Sequence, residues 1–274
     1  MSLLSWIILF SIIGGALSVI AAALFLVLPE RTRSALIPHL ISFAIGVLLS
    51  AALVGLLPHA LSAPSIADPH TITVTVLIGL LVFFLLEKLV LWRHCHHLEC
   101  EVHTPEPEHE HHSHNHNHKH QHKAAPDASA SLVLIGDGVH NFVDGVLIAA
   151  AFMTDIHLGI VTALAVAAHE IPQEVGDFAI LLHSGYSIKK AFIFNLLASL
   201  TTVIGALLAY YSLQDMQHVV PYVLAVAAAS FIYIAVADLI PGLHAKTDLR
   251  SSLQQVGLII TGVLVMYAAH SSLH

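Results

Sequence analysis

Charge is what this chain of 274 residues has least of: Asp, Glu, Lys and Arg together make up 10% of it, against about 25% in an ordinary soluble domain. With 57% hydrophobic residues and a mean hydropathy of +0.81, a soluble fold of this length would lack the polar surface it needs, so a membrane protein is expected. Positive charge is scarcer still. Ten Lys and Arg stand against 18 Asp and Glu, a formal net charge of -8, which argues against nucleic acid as a partner. Cysteine is nearly absent. Cys95 and Cys100 lie in a polar, histidine-rich stretch, a setting that suits metal or thiol chemistry in a reducing compartment better than a disulfide scaffold. No Gly-x-x-x-x-Gly-Lys loop offers itself to ATP, so any vectorial work would draw on a gradient or a coupled ion. What the chain has in excess is histidine, 23 residues, the commonest metal ligand near neutral pH.

A bilayer core needs about 20 apolar residues per helix. Eight segments qualify, 5–28, 36–61, 71–92, 131–153, 157–183, 188–211, 219–241 and 252–271. The first is taken as a span and not as a cleaved leader, because residues 1–12 contain no Lys or Arg and no cleavage motif. If the N-terminus is outside, all ten basic residues fall at cytoplasmic ends: Arg31, Arg33, Lys88, Arg93, Lys119, Lys123, Lys189, Lys190, Lys246 and Arg250. The external connections, 62–70, 154–156 and 212–218, and the tail after residue 269 hold none. That segregation is what the positive-inside bias predicts, with both termini outside, and one span more or fewer would scramble it.

The chain therefore divides into helices one to three (1–93), a cytoplasmic histidine-rich loop (94–130) and helices four to eight (131–274). The loop is of low complexity over 109–122 and is expected to be flexible. Its bland role is a solvated connector. Its functional one is weak metal capture or regulation by imidazoles and by Cys95, His96, His97 and Cys100. Spans two and seven both end around a proline, Gly55-Leu-Leu-Pro58 and Asp238-Leu-Ile-Pro241, and they run in opposite directions. An inverted repeat around the central pair of helices is the expected symmetry.

Ionisable groups at membrane depth are costly unless paired, hydrated or bound to metal. Here they concentrate in two adjacent spans. Asp137, His140, Asn141 and Asp144 fall at i, i+3, i+4 and i+7 on one face of span four, and His169, Glu170, Gln173, Glu174 and Asp177 form a stripe on span five. Nine such positions with no Lys or Arg nearby leave the missing positive charge to a metal. Imidazole, amide and carboxylate together suit Zn, Fe, Mn, Co or Cd better than an oxygen-only Mg or Ca cage. Pro172 frees the carbonyl of residue 168 and is expected to kink the helix. Gly145 and Gly176 are expected to let spans four and five approach closely. Asp137 and Asp177, nearer the helix ends, are candidates for outer or gating roles.

The span-four motif His140-Asn141-Phe-Val-Asp144-Gly145 resembles the His-Asn-x-x-(Asp/Glu)-Gly of the ZIP (Zrt/Irt-like) family of metal transporters. Span five, His169-Glu170-Ile-Pro172-Gln173-Glu174-Val-Gly-Asp-Phe, is similar to the His-Glu-x-Pro-His-Glu-x-Gly-Asp-Phe of its LIV-1 branch. The resemblance implies an all-α, eight-helix ZIP-type bundle in a cell membrane, the inner membrane of a Gram-negative bacterium if the source is one. It implies divalent cations as transported substrate, Zn2+ foremost with Fe2+, Mn2+ and Cd2+ as others, no catalytic cofactor, and a possible homodimer. It also implies a metal site on His140, Asn141, Asp144, His169, Glu170 and Gln173, with Asp144 shared between two metals. Departures are Gln173, where the branch has His, Gly242, where it commonly has Glu, and a sixth span whose nearest polar groups are Asn195, Thr201 and Thr202 in place of an acid.

Two other functions are weaker. His169-Glu170 opens like the zinc-protease His-Glu-x-x-His, but Gln173 replaces the second His and the stripe on span four would have no purpose. A cation-diffusion exporter shares the cytoplasmic histidine loop, yet six spans and a soluble C-terminal domain would be expected of one. An enzyme is therefore not expected.

Overall fold

The computed structural model describes residues 1–95, 128–244 and 248–272. Most of the histidine-rich loop, with Cys100, Lys119 and Lys123, lies outside the described residues, as does Lys246. Among the described residues every regular element is helical. In chain order the rods are α1 (Leu3–Leu26), α2 (Glu30–Ser62), α3 (Pro69–Cys95), α4 (Ala128–Thr154), α5 (Ile156–His183), α6 (Ile188–Leu213), α7 (Gln217–Leu243) and α8 (Leu249–Ser272). Seven are long and apolar enough to cross a membrane. The other, α5, is as long at 28 residues but is made more polar by its own acidic stripe. All eight lie where the hydrophobic segments were expected, and α2 and α4 begin earlier, taking in Arg31 and Arg33 and residues 128–130.

The connections that position α5 are written in the sequence. A single residue, Asp155, separates α4 from α5, and its carboxylate accepts from the backbone N–H groups of His157 and Leu158 at 2.8 and 3.0 Å, capping the new helix. The far end of α5 closes with Gly185 at φ 84°. The Gly185 N–H donates to Leu182 O and the Tyr186 N–H to Leu181 O, a left-handed stop that a side chain would oppose. Between these ends the helix runs through Pro172 without interruption.

The packing has an internal two-fold pattern that exchanges α1 with α6, α2 with α7, α3 with α8 and α4 with α5. Thus α1 packs on α5 as α6 packs on α4, and α2 packs on α8 as α7 packs on α3. The local defects obey the same exchange. Both α1 and α6 are interrupted, at Gly15 and Leu200. Both α2 and α7 contain a wide turn with i to i-5 bonding, Ala51–Leu56 and Ile234–Leu239, each ending two residues before a proline, Pro58 and Pro241. Burial agrees for two of the exchanged pairs, with 11% of the apolar stretch buried in both α3 and α8 and 39% in both α1 and α6, while α2 is more buried than α7. Partners under the exchange run in opposite directions, so the repeat is inverted. The same contacts sort the helices into two groups, α1, α4, α5 and α6 in one and α2, α3, α7 and α8 in the other, which meet chiefly where α5 lies on α2 and α4 on α7.

Lipid removes the hydrophobic drive for helix association, so contact depends on close packing and hydrogen bonds. Outward faces are accordingly apolar, with Leu77, Leu81 and Leu85 of α3 and Leu253, Ile260 and Leu264 of α8 more than half exposed. Close approach is made by glycines in reciprocal pairs. A Cβ on Gly145 of α4 would fall 1.9 Å from Thr202 O of α6, and one on Gly205 of α6 would fall 2.1 Å from Phe142 O of α4. Gly46 of α2 and Gly262 of α8 are set the same way, 2.0 Å from Ile259 O and 2.5 Å from Phe43 O. Gly145 therefore serves α6 and not α5, and Gly176 has no atom within 4 Å of its would-be Cβ, so the expected glycine contact between α4 and α5 is corrected. Gly145→Ala is expected to cost about 1–3 kcal/mol as α4 and α6 are forced apart, while Gly176→Ala is neutral or stabilising by up to about 1 kcal/mol. Thermal melts of the purified variants in detergent would check this pair, and equal melting temperatures would refute it.

Candidate metal centre

The connection at Asp155 makes α4 and α5 an antiparallel hairpin, in which residues equally far from the turn share a depth. His140 lies 15 residues before Asp155 and Glu170 lies 15 after it, about 22 Å along either helix and so about halfway along rods of 27 and 28 residues. The helical stripe on each rod turns these residues toward each other. His140 Nε2 stands 3.3 Å from His169 Nε2, 3.6 Å from Asp144 Oδ2 and 3.3 Å from Glu170 Oε1. His169 Nε2 stands 3.4 Å from Asp144 Oδ2 and 3.8 Å from Glu170 Oε1. Four donors held about 2.1 Å from one tetrahedral zinc ion would stand about 3.4 Å from each other. The quartet has those dimensions.

One of the four, His169, is oriented from outside the quartet. His169 Nδ1 lies 3.0 Å from Ala165 O. A carbonyl can only accept, so Nδ1 carries the proton and Nε2 turns its lone pair to the centre. Phe231 of α7 covers the same ring edge-on, with centroids 6.0 Å apart. Asp144 and Glu170 are completely buried, and none of their four oxygens has a hydrogen-bond partner. No Lys or Arg pairs with them among the described residues, where their partners at ion-pair distance are the two imidazoles. An uncompensated carboxylate at membrane depth costs about 3 kcal/mol on insertion scales, and two side by side cost more through repulsion. A divalent cation inside the quartet relieves both. His140, with 23% of its side chain exposed, is the member through which the centre is reached.

Of the six residues expected to bind metal, four converge. Asn141 is held aside: its Nδ2 donates to Asp137 Oδ1 at 2.8 Å and to Asp137 O at 3.2 Å, and its Oδ1 accepts from Thr202 Oγ1 of α6 at 2.8 Å. Gln173 is half-buried on the same face of α5 and hydrogen-bonds to none of the four. Pro172 produces no break in α5, and the interruptions occur instead at Gly15 and Leu200, which pack together. A Cβ on Gly15 would lie 2.6 Å from Ser199 O and 2.9 Å from Thr202 Oγ1. Thr202 had a weak signal in the sequence, as a hydroxyl in an apolar span, but its service to Asn141 did not. Phe231 had no signal at all. Glu170 lies inside the quartet and not beside it.

The family model of the ZIP zinc transporters matches residues 2–269 of the chain. Among curated relatives, the chain is 45% identical over 139 residues to the zinc transporter foi of Drosophila melanogaster, covering 50% of this chain and 19% of that protein. It is 42% identical over 120 residues to the zinc transporter ZIP10 of Homo sapiens, covering 43% and 14%. It is 40% identical over 132 residues to the zinc transporter ZIP4 of Mus musculus, covering 47% and 20%. The matched part is thus a fifth or less of each relative's length.

Asp144→Asn keeps the shape of the quartet and removes a buried charge. It is expected to lower zinc affinity more than 100-fold, about 3 kcal/mol, while leaving the metal-free melting temperature unchanged or raised. Thr202→Val leaves Asn141 Oδ1 without its donor and is expected to destabilise the metal-free protein by about 1–3 kcal/mol. Calorimetric titration with zinc and thermal melts in chelator measure the two effects, and unchanged affinity in Asp144→Asn would remove that residue from the centre.

Proposed function

Because the chain belongs to the ZIP zinc transporter family, we propose that it carries divalent cations, zinc foremost, across the membrane it spans, from the outside into the cytoplasm. The observation that carries this reading is the quartet itself, two imidazoles 3.3–3.8 Å from each other and from two carboxylates, all four donors within 4.8 Å at mid-depth of a helical hairpin. Such a shell takes up an ion only after its water is shed, and it favours metals that accept nitrogen, Zn2+ with Fe2+, Mn2+ and Cd2+ behind it. Asn141 and Gln173 complete the polar stripe. Asn141 joins the shell only if Thr202 releases its oxygen, which would let Asp144 bridge to a second ion. This reading asks the site to bind and release an ion and needs no covalent step.

Orientation is supported by the basic residues, which put both termini outside and the segment between α3 and α4 in the cytoplasm. Movement is supported by the two packing groups. Rocking of the group that holds α4 and α5 against the group that holds α2 and α7 would open the quartet to one side and then the other. The wide turns before Pro58 and Pro241 in the second group are places where backbone bonding is already loosened. The histidine-rich loop would meet the ion after passage and tune its release. Assembly as a homodimer is carried by the family resemblance alone. Export would use the same site in the opposite sense.

Zinc uptake into proteoliposomes loaded with a zinc-sensitive dye tests the proposal. Saturable influx without ATP is expected from the full chain and from a variant lacking residues 103–123. Asp144→Ala is expected to lower the rate at least 100-fold. No flux of Zn, Fe, Mn or Cd in either direction by the full chain would overturn transport.

A further inference from the structure

Farther from the Asp155 turn than the quartet, the same hairpin holds a second group of acids. Asp137 of α4 and Glu174 and Asp177 of α5 each offer a carboxylate oxygen, and these oxygens lie within 4.8 Å of one another. Glu174 is completely buried with both oxygens unpartnered, and one oxygen each of Asp137 and Asp177 is buried and unpartnered as well. No basic residue pairs with any of them among the described residues. If this were a structural hydrogen-bond cluster, a donor would fill each of those lone pairs. The third wall gives an independent sign. Asn195 of α6 is also completely buried and within hydrogen-bonding reach of Glu174, yet neither its Oδ1 nor its Nδ2 makes a hydrogen bond of ordinary distance and angle. Buried carboxylates without full donors, with this amide beside them, offer oxygen ligands from three helices to one occupant.

We propose that Asp137, Glu174, Asp177 and Asn195 form a second divalent-cation site, distinct from the quartet and built of oxygen donors. It shares no residue with the quartet, and its chemistry differs. Without imidazole it binds zinc more weakly than the quartet does and accepts Mn2+ comparatively well. Its distance from the turn, 18 residues to Asp137 and 22 to Asp177, puts it about 30 Å from Asp155, near the opposite rim of the hydrocarbon core. The two sites are mechanically joined. Asn141 binds Asp137 Oδ1 with its amide nitrogen and Thr202 with its oxygen, so an ion that draws Asp137 away pulls on the residue beside His140. A site of lower affinity on the cytoplasmic side of a tighter one is a relay through which a metal leaves. That role rests on the transport reading of the quartet, whereas the existence of the site does not.

Cobalt and manganese distinguish the two sites in the full chain held in lipid nanodiscs. Two Co2+ per chain are expected, one of them giving the intense visible bands of a tetrahedral nitrogen and oxygen shell. Glu174→Gln should lose one equivalent and keep the bands, and those bands also report that the variant is folded. His169→Ala should lose the bands yet retain one equivalent, which shows as immobilised Mn2+ in electron paramagnetic resonance and disappears on adding Glu174→Gln. Should Glu174→Gln fail to fold, the half-buried Asp177→Asn carries the same comparison. Wild-type stoichiometry in folded Glu174→Gln and Asp177→Asn would overturn the second site. Absence of the bands from wild type, with a Glu174-dependent Mn2+ still bound, would overturn the quartet and leave this site standing.

Discussion

The structure depends on one electrostatic constraint: carboxylates are held in the middle of a bundle whose described residues offer them no fixed cation. Asp144 and Glu170 are wholly buried, and all of their oxygens lack hydrogen-bond partners. A permanent Lys or Arg would have neutralised them at the cost of closing the site to an ion. The bundle instead supplies two imidazoles, one fixed in its tautomer by Ala165 O, and leaves the positive charge to be brought in. Under the proposed function, local stability is exchanged for the ability to take up a cation and let it go, the compromise expected where a buried charge serves function.

The surrounding helices make that compromise tolerable by fixing the hairpin. On one side α4 is pressed on α6 through Gly145 and Gly205, close enough for Thr202 to reach Asn141. On the other, α5 is backed by α1 and α2, and Phe231 of α7 lies against His169. The inverted exchange of α1 to α3 with α6 to α8 places this hairpin on its own pseudo-axis. A site on such an axis is equivalent toward both faces of the membrane, and only the side chains break the equivalence. They do so strongly here, since the quartet has imidazole and the neighbouring acids do not.

Much of this was legible in residues. The eight spans, the segregation of ten basic residues and the His and Asp spacing on α4 and α5 each follow from helical period and bilayer thickness. Four of the six expected ligands converge for that reason: an i, i+4 pair on one helix and adjacent residues at equal depth on the other can hardly avoid meeting when one residue joins the helices. The errors also have a physical cause. Gly145 was assigned to the wrong neighbour because a glycine in a sequence announces close approach without naming the partner. Pro172 was expected to disturb its helix, while the interruptions fell at Gly15 and Leu200, where two backbones crowd each other.

What the sequence by itself determined is therefore whatever depends on period and on distance along the chain: the membrane class, the spans, the stripes and the depth at which they meet. Tertiary structure decided what depends on distance through space. Only packing shows that Asn141 is turned aside to Asp137 and Thr202, that Phe231 walls the centre, and that Asn195 opens on Glu174. The pairings of Asn141 with Thr202, Phe231 with His169 and Asn195 with Glu174 lie across helices 21 to 62 residues apart in the chain, and no local pattern records which face of one helix another will cover.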